Sequence, residues 1–361
     1  MTTEPIRAPK STPAPSKARV NFIDALRGYA ILMMIQGHTV DVVLQDKFRT
    51  RDSLAYNIWD HMRGLTAPTF FFAAGLIFAY LLLREEQHEP GSNTRIVKGL
   101  QRAAWLMVFG FLAQFHFYDL QRLLVGSPDR WEFLSYSHVL HTIAITLIFI
   151  ILIFLLVRNR PRFAVPLAWL LATLSTFFLA GKVLAWDPQS LPFKLLSLFT
   201  HPDNSYFPAL PWAGFGLAGA CFGWLIWTTR WHEKWWFFAS LCSLGIALFL
   251  VYYPFVGDHG WLQFRLSSAP ALIGIIGLLS LRGWIPEFVI RSGQETLTIF
   301  LLHLVILYGA LSGYGLHKLW PKELDPVQTI FLALVMEISV IALAWHLPTL
   351  RKRFPPLKWI R

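Results

Sequence analysis

The chain has 361 residues, 55% of them hydrophobic and only 15% charged, with 16 Trp and a formal net charge of +11. Its mean hydropathy is +0.47. These values exclude a soluble globular domain and a disordered chain, and they place the protein in the polytopic membrane class. The excess of positive charge does not call for a nucleic-acid partner, because Lys and Arg gather in alternate breaks between apolar runs.

Residues 1–19 are rich in Pro, Ala, Ser and Lys and lack the apolar core of a secretory signal, so a disordered basic arm is expected there. After it, hydropathy predicts an all-α domain over residues 20–350 with about ten membrane spans, near 21–43, 65–83, 99–117, 138–157, 163–183, 209–228, 236–254, 264–281, 294–313 and 326–346. Arg265 and Pro270 make the start of the eighth the least regular. A basic tail, 351–361, closes the chain. With the amino terminus in the cytosol, about 20 of the 32 Lys and Arg residues fall on the cytosolic side against about 11 opposite, which predicts that both termini are cytosolic. The longer connections, 44–64, 118–137 and 184–208, then lie outside, with turn signals at Asp187-Pro188 and His201-Pro-Asp-Asn204. No internal repeat is visible. Cys221 and Cys242 both fall in apolar segments, as small packing residues do.

The first span carries polar groups where the bilayer makes them costly: Asp24, Arg27 and His38. Arg27 and His38 are three turns apart, hence on one helix face and separated by roughly 16 Å along the axis, with Asp24 one turn before Arg27. A neutral imidazole at His38 suits a general base or a transient acyl acceptor, and Asp41, one turn on, is expected to fix its tautomer. The bland alternative is an interfacial histidine and a structural Asp24–Arg27 ion pair.

Further along, Arg95, Lys98 and Arg102 cluster at the start of the third span, with Lys98 and Arg102 at i,i+4. Such a cluster suits the phosphates of a nucleotide-like donor, or simply anchors the chain to acidic lipid. His61, with Asp60 and Arg63, precedes Thr66 in the first outer loop and is a candidate for meeting a substrate there. His138 and His141 stand at i,i+3, but no carboxylate or cysteine follows at ligand spacing, and no metal site is expected. His303 lies within the ninth span, either packed against a neighbour or lining the polar site. Between Phe207 and Gly223, small residues such as Gly219 and Gly223 predict close helix packing.

The phrases Phe22-Ile-Asp-Ala-Leu-Arg-Gly-Tyr-Ala-Ile-Leu-Met-Met34 to His38, Leu65-Thr-Ala-Pro-Thr-Phe-Phe-Phe-Ala-Ala-Gly75, Ser137-His-Val-Leu-His-Thr-Ile-Ala144, Phe207 to Gly223 and Gly293 to His303 occur in an order that resembles the transmembrane acyltransferase superfamily. In particular the chain is similar to the bacterial branch of the heparan-α-glucosaminide N-acetyltransferase catalytic domain. The resemblance implies an integral protein of the bacterial plasma (inner) membrane that moves an acyl group, usually acetyl, from cytosolic acetyl-CoA to a hydroxyl or amine of a sugar or glycan on the outer side. It implies Arg27 and His38 as the signature pair of the wider superfamily. The heparan-modifying branch has a histidine in the first outer loop, for which His61 is the nearest candidate, at a spacing to Pro68 shorter than that pattern. The sequence alone leaves a competing reading open, a transporter or flippase that binds a polar or lipid-linked substrate at Asp24 and Arg27.

Overall fold

Every one of the ten expected apolar segments is helical in the computed structural model, which describes residues 21–50, 52–88, 93–128, 136–161, 163–184, 205–252 and 261–353. The arm 1–19, the turns at 187–188 and 201–204, and residues 354–361 of the tail lie outside the described residues. Helices run α1 (Asn21–Val43), α2 (Leu54–Gly64), α3 (Thr66–His88), α4 (Thr94–Gln114), α5 (Phe117–Leu124), α6 (Val139–Val157) and α7 (Ala164–Leu184). They continue as α8 (Ala209–Thr229), α9 (Trp235–Tyr252), α10 (Trp261–Leu281), α11 (Glu287–Gln294), α12 (Thr296–Tyr308), α13 (Leu316–Leu319) and α14 (Pro326–Arg353). Among the described residues extended pairing is confined to isolated bridges such as Leu44 with Leu324.

Seven helical stretches among the described residues are long and apolar enough to cross a membrane, or eight when the bent pair α11–α12 counts as one. The architecture is therefore the polytopic all-α one expected. Helix α1 has the length, 23 residues, yet its polar stripe lowers its hydropathy, and α9 is a shorter apolar helix. Lipid would cover α7 and α14, whose Leu171, Leu174, Phe178, Ile330, Phe331 and Ile338 are all exposed.

Three segments depart from the expected spans. Residues 54–64 form a helix rather than an open loop: the Ser53 hydroxyl accepts from the Tyr56 amide at 3.3 Å and caps it. Helix α4 starts five residues early because Asn93 caps it, so Arg95 and Lys98 sit on its first turns rather than in the preceding loop. The ninth segment is broken at Glu295, where α11 and α12 meet at 84°. Pro270 lies within α10 without ending it.

Small residues set the crossings. A Cβ on Gly75 would sit 1.9 Å from the Gly216 carbonyl oxygen, and one on Gly219 would sit 2.0 Å from that of Phe72. Helices α3 and α8 thus touch backbone to backbone, as the small residues between Phe207 and Gly223 predicted. The same device joins α1 to α11, since a Cβ on Gly28 would meet the Val289 oxygen at 2.1 Å and one on Gly293 the Asp24 oxygen at 1.9 Å. Helix α1 is packed against α3, α10, α11, α12 and α14. Surrounded in this way, its charged residues face protein, which answers most of the cost of placing them in a bilayer.

Candidate active site

The contact between α1 and α11 delivers the first turn of α12 to Arg27. The Arg27 guanidinium donates to the Thr296 hydroxyl and lies 3.8 Å from the Asp24 carboxylate, which is buried. Gln294 donates to the other Asp24 oxygen at 3.4 Å. Eleven residues on, His38 meets the far end of the same helix: its Nδ1 is 2.8 Å from the Tyr308 hydroxyl, and its ring stacks on His303 with centroids 5.4 Å apart. Arg27 with Thr296 and His38 with Tyr308 are matched points along two helices running in the same direction. The polar stripe of α1 therefore faces α12, not lipid.

Arg27 opens onto a cavity of about 150 Å³ between α1, α3, α4, α6 and α12. Arg95, Lys98 and Arg102 line it too, brought to one face by their spacing of three and four residues on α4. Glu85 pairs with Arg95 at 2.9 Å, whereas Lys98 and Arg102 have no carboxylate within 4 Å among the described residues. The remaining wall is apolar, with Phe78 and Ile77 from α3, Leu106 from α4, Leu140 and Ile143 from α6, and Leu297 and Phe300 from α12. Cations at one end and hydrocarbon beyond suit an anionic molecule with an uncharged tail. The first-turn amides of α12, beside Thr296, add to the positive potential.

His38 does not line this cavity; Phe300 stands between its wall and a group of imidazoles. The Phe300 ring meets His138 at 5.4 Å and His303 at 5.3 Å, and His303 in turn stacks on His38. His141, next in sequence to this group, is committed elsewhere. Its Nδ1 accepts from the His138 amide at 2.7 Å, so Nε2 carries the proton and donates to the Met107 carbonyl at 3.2 Å. Both nitrogens of His141 are therefore occupied by main chain.

Two sequence expectations are corrected. Asp41 does not orient His38; it is bonded to Arg63 at 2.5 Å and lies 3.6 Å from Arg49, and Tyr308 takes the place expected of it. Arg49 in turn donates to the carbonyls of Val40, Asp41 and Leu44, closing the C-terminal end of α1. His61 sits on α2, not in an open loop, with its ring edge-on to Phe264 at 3.9 Å and Phe249 at 5.9 Å. The structure thus brings Asp24, Arg27, Arg95, Lys98 and Arg102 together at one end and His38 and His303 at the other, with Asp41 bonded to Arg63 and Arg49 but within electrostatic reach of His38, and His61 outside both groups. Sequence reasoning missed Tyr308, Thr296 and Phe300, which looked like ordinary residues of an apolar run. It also missed Glu337, which accepts from Gln36 at 2.8 Å inside the last span; an acidic residue in a 22-residue apolar helix was signal enough.

A family model described as heparan-α-glucosaminide N-acetyltransferase, catalytic, matches residues 19–256. The chain belongs to this family. It carries an acetyltransferase catalytic domain on a polytopic helical frame. The match takes in Arg27, His38, His61, Arg95, Lys98, Arg102 and His138, and it ends before Thr296, His303 and Tyr308. No curated protein matches the chain.

Proposed function

We infer that the protein moves an acetyl group from acetyl-CoA to a hydroxyl or amine of a sugar or glycan acceptor. The observation that carries this reading is the cavity on which Arg27, Arg95, Lys98 and Arg102 converge, walled by the same helix that reaches His38. Phosphates of coenzyme A would pair with Lys98, Arg102 and Arg95, which arginine and lysine at a membrane mouth do well. The apolar wall would take the uncharged pantetheine arm and leave the thioester near Phe300. Arg27, held by Asp24 and Thr296, would stay in place as a cation of that wall.

The acceptor arrives from the His38 end. With Nδ1–H donated to the Tyr308 oxygen, the Nε2 of His38 carries the lone pair and takes the proton as the acceptor oxygen or nitrogen attacks the thioester carbon. The carbon–sulfur bond then breaks, and the proton passes to the departing thiolate. Acetylated acceptor and free coenzyme A are the products, so the protein ends unchanged. The bias of Lys and Arg supports an orientation with the Arg95 end in the cytosol and the His38 end outside, and the family resemblance supports a bacterial inner membrane as its place.

Labelled acetyl-CoA incubated with the purified protein in detergent tests the reading, with p-nitrophenyl α-glucosaminide as acceptor. Release of free coenzyme A that requires the acceptor supports it. Movement of the glucosaminide across proteoliposomes without any such release would instead mark a transporter.

A further inference from the structure

His303 carries more chemistry than a wall residue requires. It is fully buried on α12, with its ring stacked on that of His38 at 29° between planes. Its Nδ1 lies 3.3 Å from the Ile299 carbonyl oxygen one turn earlier. A carbonyl oxygen only accepts, so Nδ1 bears the proton and Nε2 of the neutral ring is a lone pair. That Nε2 is buried and has no hydrogen-bond partner among the described residues. The same holds for Nδ1 of His138, in the same group of rings. His141 is the contrast, because both of its nitrogens are satisfied by main chain.

Buried polar atoms in folded proteins are nearly always paired, and a catalytic role is one of the reasons an exception persists. Of the nine such side-chain atoms among the described residues, the two imidazole nitrogens of His303 and His138 flank Phe300, the residue shared between the cavity wall and the imidazoles. The geometry points to His303 as a second catalytic residue: its Nε2 accepts a hydrogen bond from the O–H or N–H of the acceptor and holds that nucleophile beside His38. The inference rests on the transferase reading and deepens it by giving the acceptor a second anchor. Its proton balance adds nothing to that scheme, since His303 only accepts a hydrogen bond while the proton moves through His38. The ligand class is a nucleophile bearing at least one hydrogen-bond donor on the attacking atom or next to it.

His303→Asn and His303→Gln separate this role from packing. The Asn amide retains an N–H for the Ile299 carbonyl and deletes the Nε2 position, whereas the Gln amide oxygen reaches toward that position. Wild type and both variants are assayed with p-nitrophenyl α-glucosaminide and acetyl-CoA, and coenzyme A binding is measured by calorimetry. His303→Asn is expected to lower kcat/KM for the acceptor by about 10²-fold while the Kd for coenzyme A stays within about twofold; His303→Gln is expected to recover about tenfold of that loss. Should His303→Asn fail to fold, His303→Gln alone decides, by an acceptor kcat/KM lowered about tenfold with donor KM unchanged. Wild-type acceptor kinetics in the Asn variant, or an equal loss of donor binding and acceptor turnover in Gln, would overturn the inference. A wild-type protein that binds coenzyme A but transfers nothing to the glucosaminide would defeat the transferase reading itself, a result easily told from an active wild type with an indifferent Asn variant.

Discussion

Tyr308→Phe isolates one hydroxyl. That hydroxyl is 2.8 Å from Nδ1 of His38, and the two rings meet edge-to-face at 5.5 Å, a contact the Phe ring keeps. As His38 takes the acceptor proton it becomes an imidazolium, and its hydrogen bond to Tyr308 becomes charge-assisted. Such a bond contributes about 1.5–3 kcal/mol against about 1 kcal/mol for the neutral bond of the resting state, and only the difference, about 0.5–2 kcal/mol, acts on the barrier, which is about 2–30-fold in rate. The resting protein loses only an ordinary hydrogen bond, about 1 kcal/mol, so the variant folds. Steady-state kinetics with labelled acetyl-CoA and p-nitrophenyl α-glucosaminide are expected to show kcat lowered within that range, with the donor KM unchanged. Asp41→Asn is the control. Asp41 is engaged by Arg63 and Arg49 rather than by His38, so kcat should change less than in Tyr308→Phe. An unchanged kcat in Tyr308→Phe, or a larger loss in Asp41→Asn, would refute the assignment of Tyr308 as the group that orients His38.

Lys98→Ala and Arg102→Ala should each raise the KM for acetyl-CoA about tenfold at low salt, as expected for loss of a charge-assisted phosphate contact, and leave turnover of S-acetylpantetheine, which lacks the nucleotide phosphates, unaltered; an equal effect on both donors would place the phosphates elsewhere. Gly293→Val puts a side chain where the Asp24 carbonyl already lies 1.9 Å from an ideal Cβ. Forcing α11 off α1 should destabilise the fold by about 1–3 kcal/mol, seen as a lower thermal midpoint in detergent, and should release Arg27 from Thr296; a wild-type midpoint would contradict the backbone contact.

Much of the frame was legible because hydropathy reports burial in lipid and protein alike. All ten apolar segments are helices, and the i,i+3 and i,i+4 spacing of Arg95, Lys98 and Arg102 put them on one face as expected. The stripe on α1 was legible as a stripe, but its partner was not. Nothing in the order of residues said that Arg27 would meet Thr296 while His38 met Tyr308, because that pairing depends on the 84° bend at Glu295 and on Gly28 and Gly293 letting α1 and α11 touch. Local spacing made Asp41 the obvious orienting group for His38; the tertiary fold gave that carboxylate to Arg63 and Arg49 instead. Helix α2 was hidden for a different reason. Its eleven residues are amphipathic and mixed in composition, so they read as a loop until Ser53 is seen capping them.

The account depends above all on His38 handling the proton of the transferred group. The direct measurement is label transfer from acetyl-CoA to p-nitrophenyl α-glucosaminide by wild type and His38→Ala, with coenzyme A binding and thermal midpoint recorded on the same preparations. Loss of transfer by at least about 10²-fold, with binding and midpoint retained, is the predicted result. Transfer by His38→Ala at the wild-type rate would contradict it.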